Sequence, residues 1–202
     1  MIEAHLAATV EAHGATMPVY VHTIDHREGL VLVDTGMIDS TPELDEAWAP
    51  TAYPLPPELV SRVAVVVNTH LHFDHCGGNR SFAGVPTHVQ AVELADARSE
   101  EDYTIPAWVD FLGARYVEHD GEAEILPGVR LLPTPGHTRG HQSVVVETPH
   151  GLAVIGGDVA YSFRELGAAD THGKRRVLDL GAPTWLAHVE RPHVPRRNEQ
   201  PS

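Results

Sequence analysis

One segment limits what this chain of 202 residues can fold into: a run of valines is followed at once by three histidines and an aspartate. Val63 to Val67 is an apolar run of strand length, typical of a strand buried on both faces. The segment that follows it, His70-Leu71-His72-Phe73-Asp74-His75, brings nitrogen and oxygen donors together at the end of that strand. Zinc accepts imidazole and carboxylate ligands at roughly 2.0–2.2 Å. A solvated, histidine-rich loop is the alternative, but the place directly after a buried strand favours a metal site.

The spacing within this segment predicts two neighbouring ions. Side chains two apart in an extended segment point the same way, so we expect His70 and His72 to share one ion. Asp74 and His75 lie past the turn and are expected to face a second ion. Gly77-Gly78 is expected to let the backbone turn sharply and start a helix.

Two later strand ends add donors. The Pro-Gly turn after the predicted strand Val129 to Pro133 places His137 at the tip of a loop. We expect His137 to be a ligand and His141 to support the site from behind. Asp158 follows another apolar strand, where its two oxygens can bridge two ions, although a helix N-cap is the alternative.

The last donor is predicted near the end of the sequence. His188 follows a predicted strand over Ala182 to Ala187, whereas His193 lies in a segment rich in proline and arginine. Rigid strand ends position ligands better than tails do, so we favour His188 over His193. The full prediction is His70, His72 and His137 on one ion, Asp74, His75 and His188 on the other, and Asp158 between them. This inventory is typical of a two-metal hydrolytic site.

The neighbours of these donors are expected to be structural. Cys76 is expected to behave as a small buried hydrophobic residue rather than as a ligand. Phe73 and Trp185 are each expected in the core, with a place in an apolar pocket as the alternative.

The remaining pattern predicts one mixed α/β domain over residues 1–202. Two hairpins are expected, and each consists of two apolar runs around a short polar turn. Helices are expected where charged residues follow a helical pattern, and an irregular loop where proline and acidic residues concentrate. The predicted elements are hairpins over Pro18–Asp25 with Gly29–Asp34 and Ser143–Thr148 with Leu152–Ile155, helices over His88–Arg98 and Ala168–Leu180, and a loop over Thr41–Pro57.

Composition excludes several classes of partner and suggests a compartment. The chain has 28 acidic and 14 basic residues, a net charge of −14, which argues against a binder of nucleic acid or of anionic membranes. We find no apolar run of membrane-spanning length and no signal-peptide pattern at the start. A single cysteine, Cys76, allows no intrachain disulfide. We therefore expect a cytoplasmic protein.

The donor residues resemble those of the metallo-β-lactamase superfamily, whose hallmark is His-x-His-x-Asp-His followed by a distant His, Asp and His. The resemblance runs from Asp34-Thr35-Gly36 to His188. It implies an αβ/βα sandwich, with two mixed β-sheets flanked by helices. It also implies that Asp34 supports the metal-binding loops from behind the ligands.

Within this superfamily the chain is most similar to the N-acyl homoserine lactonases, which quench bacterial quorum sensing. Three stretches carry the likeness: residues 70–79, 134–143 and 157–161. Those lactonases have a tyrosine three residues after the bridging aspartate, and Tyr161 occupies that position. The resemblance implies two divalent ions, with zinc favoured, and a small lactone or ester as substrate. It also implies Tyr161 as a stabiliser of the oxyanion, with Asp74 as the acid and base, and it leaves room for a homodimer.

The chain departs from the lactonase pattern in three places. The last ligand of lactonases stands in a Gly-His-Asp strand end, whereas here the segment is Leu186-Ala187-His188-Val189. The other two departures are short segments. Only 29 residues separate Asp158 from His188, and few precede the first predicted strand. In lactonases these segments are longer and help to build the acyl pocket and the dimer surface. A thioesterase like glyoxalase II shares the His/Asp set but leaves Tyr161 without a role. An iron-dependent oxidoreductase on the same fold and a metal-stabilised binding module without activity are further alternatives.

Overall fold

Two β-sheets packed face to face form the centre of the computed structural model. It describes residues 1–12 and 14–181, and the backbone of 184–186. The first sheet contains seven strands: β1 (Ile2–Ala12), β2 (Ala15–His26), β3 (Gly29–Val33), β4 (Thr51–Ala52), β5 (Val63–Val67), β6 (Thr87–Gln90) and β7 (Tyr116–His119). The second contains five: β8 (Ala123–Leu126), β9 (Val129–Pro133), β10 (Gln142–Thr148), β11 (Gly151–Ile155) and β12 (Thr184–Leu186). Their spatial orders are β4-β1-β2-β3-β5-β6-β7 and β12-β11-β10-β9-β8.

Helices cover the outer faces of both sheets. The α-helices are α1 (Pro42–Trp48), α2 (Pro57–Val60), α3 (Phe73–Cys76), α4 (Ala91–Ser99), α5 (Pro106–Val109), α6 (Phe163–Gly167) and α7 (His172–Asp179). Short 3-10 turns cover Asn79–Phe82 and Gly157–Val159. The arrangement is the αβ/βα sandwich predicted from the sequence.

Aliphatic side chains fill the space between the sheets. The inward-facing positions of the first sheet supply Ile24, Val31, Val33 and Val67, and those of the second supply Val129, Leu131, Val144, Val146, Ala153 and Ile155. Alternate residues of the same strands point outward. Val63 and Val66 pack beneath Leu59 and Val60 of α2, while Val145 and Val154 pack beneath Leu166 and Val177 of α6 and α7. Both faces of each sheet are therefore covered, which is why the strands read as continuous apolar runs.

Strand direction brings the loops of interest to one edge. β3, β5 and β6 run parallel to each other, so their carboxyl ends lie on the same side of the first sheet. In the second sheet, β10 is antiparallel to both β9 and β11, so the latter two share a direction. The amide of Gln142 joins the two sheets at this edge, because its Nε2 donates to the carbonyl of Asn68 at 2.8 Å.

Both predicted hairpins are confirmed. β2 pairs with β3 around residues 27–28, and β10 pairs with β11 around residues 149–150. β5 and β9 also lie where the apolar runs predict them. The predicted final strand is observed over Thr184–Leu186, whose backbone lies parallel to β11.

Three other predictions need correction. The segment Thr41–Pro57 is not wholly irregular, because Thr41 caps α1 by accepting from the backbone N–H of Leu44, and β4 follows. The helix expected from His88 begins at Ala91, since residues 87–90 pair with β5 and β7 as β6. The helix expected over Ala168–Leu180 is shorter, because α7 begins only at His172, where Thr171 caps it by accepting from the backbone N–H of Lys174.

The strand β1 was not predicted from the sequence. Apolar residues occupy every second position from Ile2 to Ala12, but four of its eleven residues are alanine, which is depleted in strands. The pairing of β1 with β2 shifts register between Leu6 and Ala8, where the strand bulges.

The longest α-helix in the described part of the chain, α4, has nine residues. A helix needs about 20 apolar residues to span a bilayer. None of the described helices could cross a membrane.

A pair of histidines joins the last two strands of the first sheet. Nδ1 of His88 lies 2.8 Å from Nε2 of His119, and the two rings are stacked. Burial, followed by repulsion from His119, lowers the pKa of His88 to about 4, and burial also lowers the pKa of His119. An unfolded chain, with histidine pKa values near 6.5, therefore binds more protons than the folded one between pH 6.5 and 4. This pair stabilises the fold above that window, and its contribution is lost as the pH falls through it.

We expect His88→Gln to weaken the pH dependence of stability. The amide can still hydrogen-bond to His119 but does not titrate. The free energy of unfolding, from urea titrations in a chelating buffer at pH 7, 5.5 and 4.5, should fall less steeply for the variant than for the wild type. Parallel pH profiles for the two proteins would rule out a role for this pair.

Candidate metal centre

Four loops meet at the edge where β3, β5, β9 and β11 end. Asp34 follows β3 directly, and His70 comes three residues after the end of β5. The other two loops bring His137 and Asp158 from the second sheet. The site therefore lies across the seam between the two sheets.

A short helix positions the second half of the histidine segment. His72 precedes the first turn of α3, so Asp74 and His75 lie within the helix itself. The helix predicted to start at Gly77-Gly78 is observed as the 3-10 turn Asn79–Phe82, for which Gly78 is the N-cap, while α3 ends just before the two glycines. A Cβ atom on Gly78 would lie 2.4 Å from the carbonyl oxygen of Thr35, so this position needs glycine for close packing rather than for a turn.

The first donor group is the one predicted for a single ion. His70, His72 and His137 each direct a ring nitrogen to a common point. Nε2 of His70 lies 3.1 Å from Nδ1 of His72, and Nε2 of His137 lies 3.0 Å from the same atom. Two nitrogens bound to one tetrahedral zinc at about 2.0–2.1 Å would be about 3.3 Å apart. The three imidazoles therefore fit one ion if the distances between their nitrogens increase slightly.

The second donor group contains His75 and Asp158, again with His70. Nε2 of His75 lies 3.3 Å from Oδ1 of Asp158 and 3.7 Å from Oδ2 of Asp74. The other oxygen of Asp158, Oδ2, lies 3.5 Å from Nε2 of His137. The two oxygens of Asp158 thus face different groups, which is the placement expected of a bridging carboxylate.

Charge within the cluster favours a cation. Burial, followed by the neighbouring histidines, holds the pKa of His70 well below its usual range, and the same causes lower the pKa of His72 to about 4. Burial also acts to lower the pKa of His75, but Asp74, Asp158 and Asp34 outweigh it and hold that pKa well above its usual range. His70 and His72 therefore present neutral nitrogens, and the surroundings of His75 attract positive charge. Metal binding at such a site displaces protons.

Asp34 holds the histidine segment from behind, in the place that the resemblance implies. Its Oδ1 accepts from the backbone N–H of Thr69 at 2.7 Å, and its Oδ2 accepts from the Thr69 hydroxyl at 2.8 Å. Oδ2 also lies 2.8 Å from Nδ1 of His75, so the Nε2 atom of that ring is directed to the cluster. A carboxylate behind a ligating imidazole fixes the orientation and the tautomer of the ring.

His141 supports Asp158, in agreement with the supporting role expected for it. Its Nε2 accepts from the backbone N–H of Asp158 at 3.1 Å, and its Nδ1 lies 2.8 Å from the hydroxyl of Thr134. Burial lowers the pKa of His141 to about 3, which keeps the ring neutral. Gly157 makes this approach possible, because it has a φ of +54° and a Cβ atom there would lie 2.9 Å from the His141 ring.

A cleft of about 970 Å³ opens over the cluster. Tyr161 lines it, with its ring centroid 6.4 Å from that of His137. Burial raises the pKa of Tyr161, as do the charge of Asp158 and a hydrogen bond to it, so the hydroxyl keeps its proton at neutral pH. Phe73 also lines the cleft, packed near Trp48. It therefore occupies the pocket position that the sequence analysis gave as the alternative to a place in the core.

The chain matches the family model described as the metallo-beta-lactamase superfamily over residues 15–186. This match covers most of the sequence, including both donor groups. The chain belongs to the metallo-beta-lactamase superfamily. The family and the His/Asp cluster together indicate a site for divalent metal.

The chain is also similar in sequence to two curated proteins. An N-acyl homoserine lactonase from Bacillus cereus is 33% identical in an alignment of 165 positions that covers 72% of this chain and 65% of that protein. A probable metallo-hydrolase of Mycobacterium tuberculosis is 34% identical in an alignment of 188 positions that covers 76% of this chain and 60% of that protein. The chain therefore spans less than two thirds of the length of either relative.

Solved structures of this superfamily agree with the fold. A quorum-quenching N-acyl homoserine lactone lactonase superimposes with a TM-score of 0.71 at 25% identity, covering 88% of this chain and 85% of the other. An N-acyl homoserine lactone hydrolase, with N-hexanoyl-L-homoserine bound at its catalytic metal centre, gives a TM-score of 0.69 at 25% identity, with coverages of 88% and 84%.

The structure leaves some predicted residues untested. His188, His193 and the side chain of Trp185 lie outside the described residues. Cys76 is fully buried, its thiol donates to the carbonyl of Leu71 at 3.3 Å, and burial raises its pKa to about 12. It is therefore an inert core residue, as expected.

Sequence reasoning missed Glu93 and Tyr103. Glu93 lies in the first turn of α4, is fully buried and hydrogen-bonds to the hydroxyl of Tyr103, whose ring lies 5.0 Å from that of His72. Burial raises the pKa of Glu93, although its hydrogen bonds oppose this shift. A glutamate in a charged helical segment reads as a solvated residue, and nothing in the sequence pattern indicates otherwise.

We expect Asp34→Asn to weaken metal binding by about 10–100-fold, the usual effect of losing a partner behind a ligating histidine. Asparagine tolerates the φ of 60° at this position and can still accept from Thr69. It lacks the second acceptor oxygen and the charge that orient His75. Zinc affinity can be measured by competition with a chromogenic chelator.

The control for this experiment is Asp25→Asn, which removes an exposed aspartate near Arg62, away from the site. Its zinc affinity should equal that of the wild type, and circular dichroism should show both variants to be folded. Unchanged zinc affinity in Asp34→Asn would mean that Asp34 does not support the metal centre.

Proposed function

We propose that the chain is a dinuclear metal-dependent hydrolase that opens a lactone ring, with N-acyl homoserine lactones as its substrate class. The observation that carries the proposal is the position of Tyr161, which lies in the cleft beside Asp158 and both donor groups. The similarity to lactonases at 33–34% identity supports the same activity.

The donor groups would divide between two ions. His70, His72 and His137 would hold one, and Asp74 and His75 would hold the other with His188, while Asp158 would bridge them. Nitrogen and oxygen donors of this kind suit zinc. Two such ions supply Lewis acidity towards an ester carbonyl and lower the pKa of water towards about 7.

The cleft suits a substrate with one polar and one apolar end. Its outer wall consists of apolar residues from the β1–β2 hairpin, including Val10, Met17 and Val19, and of Leu44 and Trp48 from α1. Its inner end consists of the histidines and aspartates of the cluster. An acyl chain would lie along the hairpin, and the lactone ring would lie over the donors.

Tyr161 would stabilise negative charge on the carbonyl oxygen. Attack of hydroxide on the lactone carbonyl carbon moves an electron pair onto this oxygen. The Tyr161 hydroxyl keeps its proton at neutral pH, so it can donate a hydrogen bond as that charge develops. No proton needs to leave the tyrosine for this role.

Asp74 would carry the proton. It lines the cleft and lies 3.7 Å from the His75 ring, between the donors and the open space. It would accept a proton from the attacking water and return it to the alkoxide when the ring C–O bond breaks. The products balance as one hydroxy acid from one lactone and one water.

The charge around the cleft disfavours the thioesterase alternative. Glu43, Glu100, Glu101 and Asp102 line it. Arg98 also lines it but is paired with Asp110, and Arg139, which lies beside it, is paired with Asp96. A glutathione thioester carries net negative charge and would be repelled, whereas an acyl homoserine lactone is neutral.

The test is hydrolysis by zinc-loaded protein of a short and a long acyl homoserine lactone, a simple γ-lactone, an aryl ester and a glutathione thioester. We expect the acyl homoserine lactones to give the highest kcat/KM and the glutathione thioester the lowest. Tyr161→Phe should lower lactone kcat by up to about 10²–10³-fold, the loss typical of one oxyanion donor, with metal content unchanged.

Tyr53→Phe is the matched control, because Tyr53 is exposed on the surface and does not line the cleft. Its lactone turnover should equal that of the wild type. Equal turnover by Tyr161→Phe and the wild type would contradict the role of the tyrosine. Turnover of the thioester alone would move the function to the glyoxalase II-like class.

A further inference from the structure

Glu93 is a buried carboxylate with no place in the chemistry described above. It is the third residue of α4 and is fully inaccessible to solvent. Burying a charged side chain is costly unless its oxygens receive hydrogen bonds. Its partners therefore indicate what the side chain holds in place.

Each oxygen of Glu93 accepts from a different ligand loop. Oε1 accepts from the backbone N–H of Leu71 at 2.8 Å, and Leu71 lies between His70 and His72. Oε2 accepts from the hydroxyl of Thr138 at 2.7 Å, and Thr138 follows His137. One rigid carboxylate thus joins the loops that carry all three members of the first donor group.

Two further contacts reinforce this connection. The hydroxyl of Tyr103 donates to Oε1, and the Tyr103 ring packs beside His72. Gly140 of the His137 loop lies directly against the start of α4, since a Cβ atom there would be 2.4 Å from the backbone nitrogen of Glu93. The helix and the two loops therefore form one packed unit.

His75 and Asp158, the two members of the second donor group that are not in the first, are supported separately. Asp34 contacts His75 directly, whereas Glu93 contacts neither His75 nor Asp158 through any hydrogen bond that the described residues make. The two carboxylates thus act on opposite sides of the cluster.

We propose that Glu93 is a positioning residue that sets the distance between the His70–His72 loop and the His137 loop, and so shapes the first metal site selectively. This inference rests on the proposed role of those histidines as ligands. It assigns to Glu93 an effect on one ion and not on the other.

The test is a titration of the metal-free protein with Co²⁺, followed by its visible absorption, with Zn²⁺ affinities from chelator competition. The wild type should bind two equivalents. Glu93→Ala should bind one equivalent with nearly wild-type affinity and the other about 10–100-fold more weakly. Glu93→Gln should recover most of the loss, because its amide oxygen can accept from Leu71 while its amide nitrogen donates to Thr138.

Asp96→Asn is the matched control. Asp96 is another buried carboxylate of α4 and also holds the His137 loop, but through the exposed side chain of Arg139. Both equivalents should bind to this variant with wild-type affinity. Equal weakening in Asp96→Asn and Glu93→Ala would show a general structural effect and overturn the proposal.

Thr138→Val provides a milder variant if Glu93→Ala does not fold. It removes one hydrogen bond without changing the size of the side chain, and we expect the same equivalent to weaken several-fold. Normal binding of both equivalents by folded Glu93→Ala or Thr138→Val would contradict the role of Glu93 but not the metal centre. A wild-type protein that binds no Co²⁺ would contradict the metal centre itself, and this inference with it.

Discussion

The burial of several imidazoles and carboxylates in one place is the constraint on which the rest of this structure depends. His70, His75 and Asp158 lie within the seam between the two sheets, where water cannot stabilise their charges. Burial and repulsion between imidazoles keep His70 and His72 neutral, while the carboxylates around His75 attract positive charge. Bound cations would satisfy both conditions, and this is the physical reason to regard the cluster as a metal centre.

The surrounding structure positions each donor from behind. Asp34 orients the His75 ring, and His141 holds the backbone of Asp158. Glu93 joins the loops of His70–His72 and His137. These supports come from strand ends or helix starts of the sandwich, so the sheets determine where the donors lie. The cleft above them is lined by elements at the edge, chiefly the segment from the end of α4 to the start of α5, with the β1–β2 hairpin and α1.

The site was easier to predict from the sequence than its surroundings. The donors follow strands directly, so a local pattern of apolar residues and histidines identifies them, and the first group assembles as predicted. The predicted place of Asp158 between the groups agrees with its two oxygens facing different histidines. The prediction for His188 stays untested, because it lies outside the described residues.

Features that depend on contacts distant in sequence could not be predicted in the same way. Glu93 is buried because two loops, 22 and 45 residues away along the chain, converge on it. His88 lies in a strand because β5 and β7 flank it, although its segment has a helical pattern. β1 is a strand although four of its eleven residues are alanine, because it pairs with β2 and β4. Each of these outcomes is decided by tertiary packing rather than by local propensity.

The dinuclear centre can be tested by diffraction from crystals of zinc-loaded protein, measured on both sides of the zinc absorption edge. We expect two anomalous peaks about 3.5–4 Å apart, the separation usual for two-metal hydrolytic sites. One should lie among His70, His72 and His137, and the other beside His75 and Asp158. A single peak, or peaks away from these side chains, would contradict the dinuclear centre.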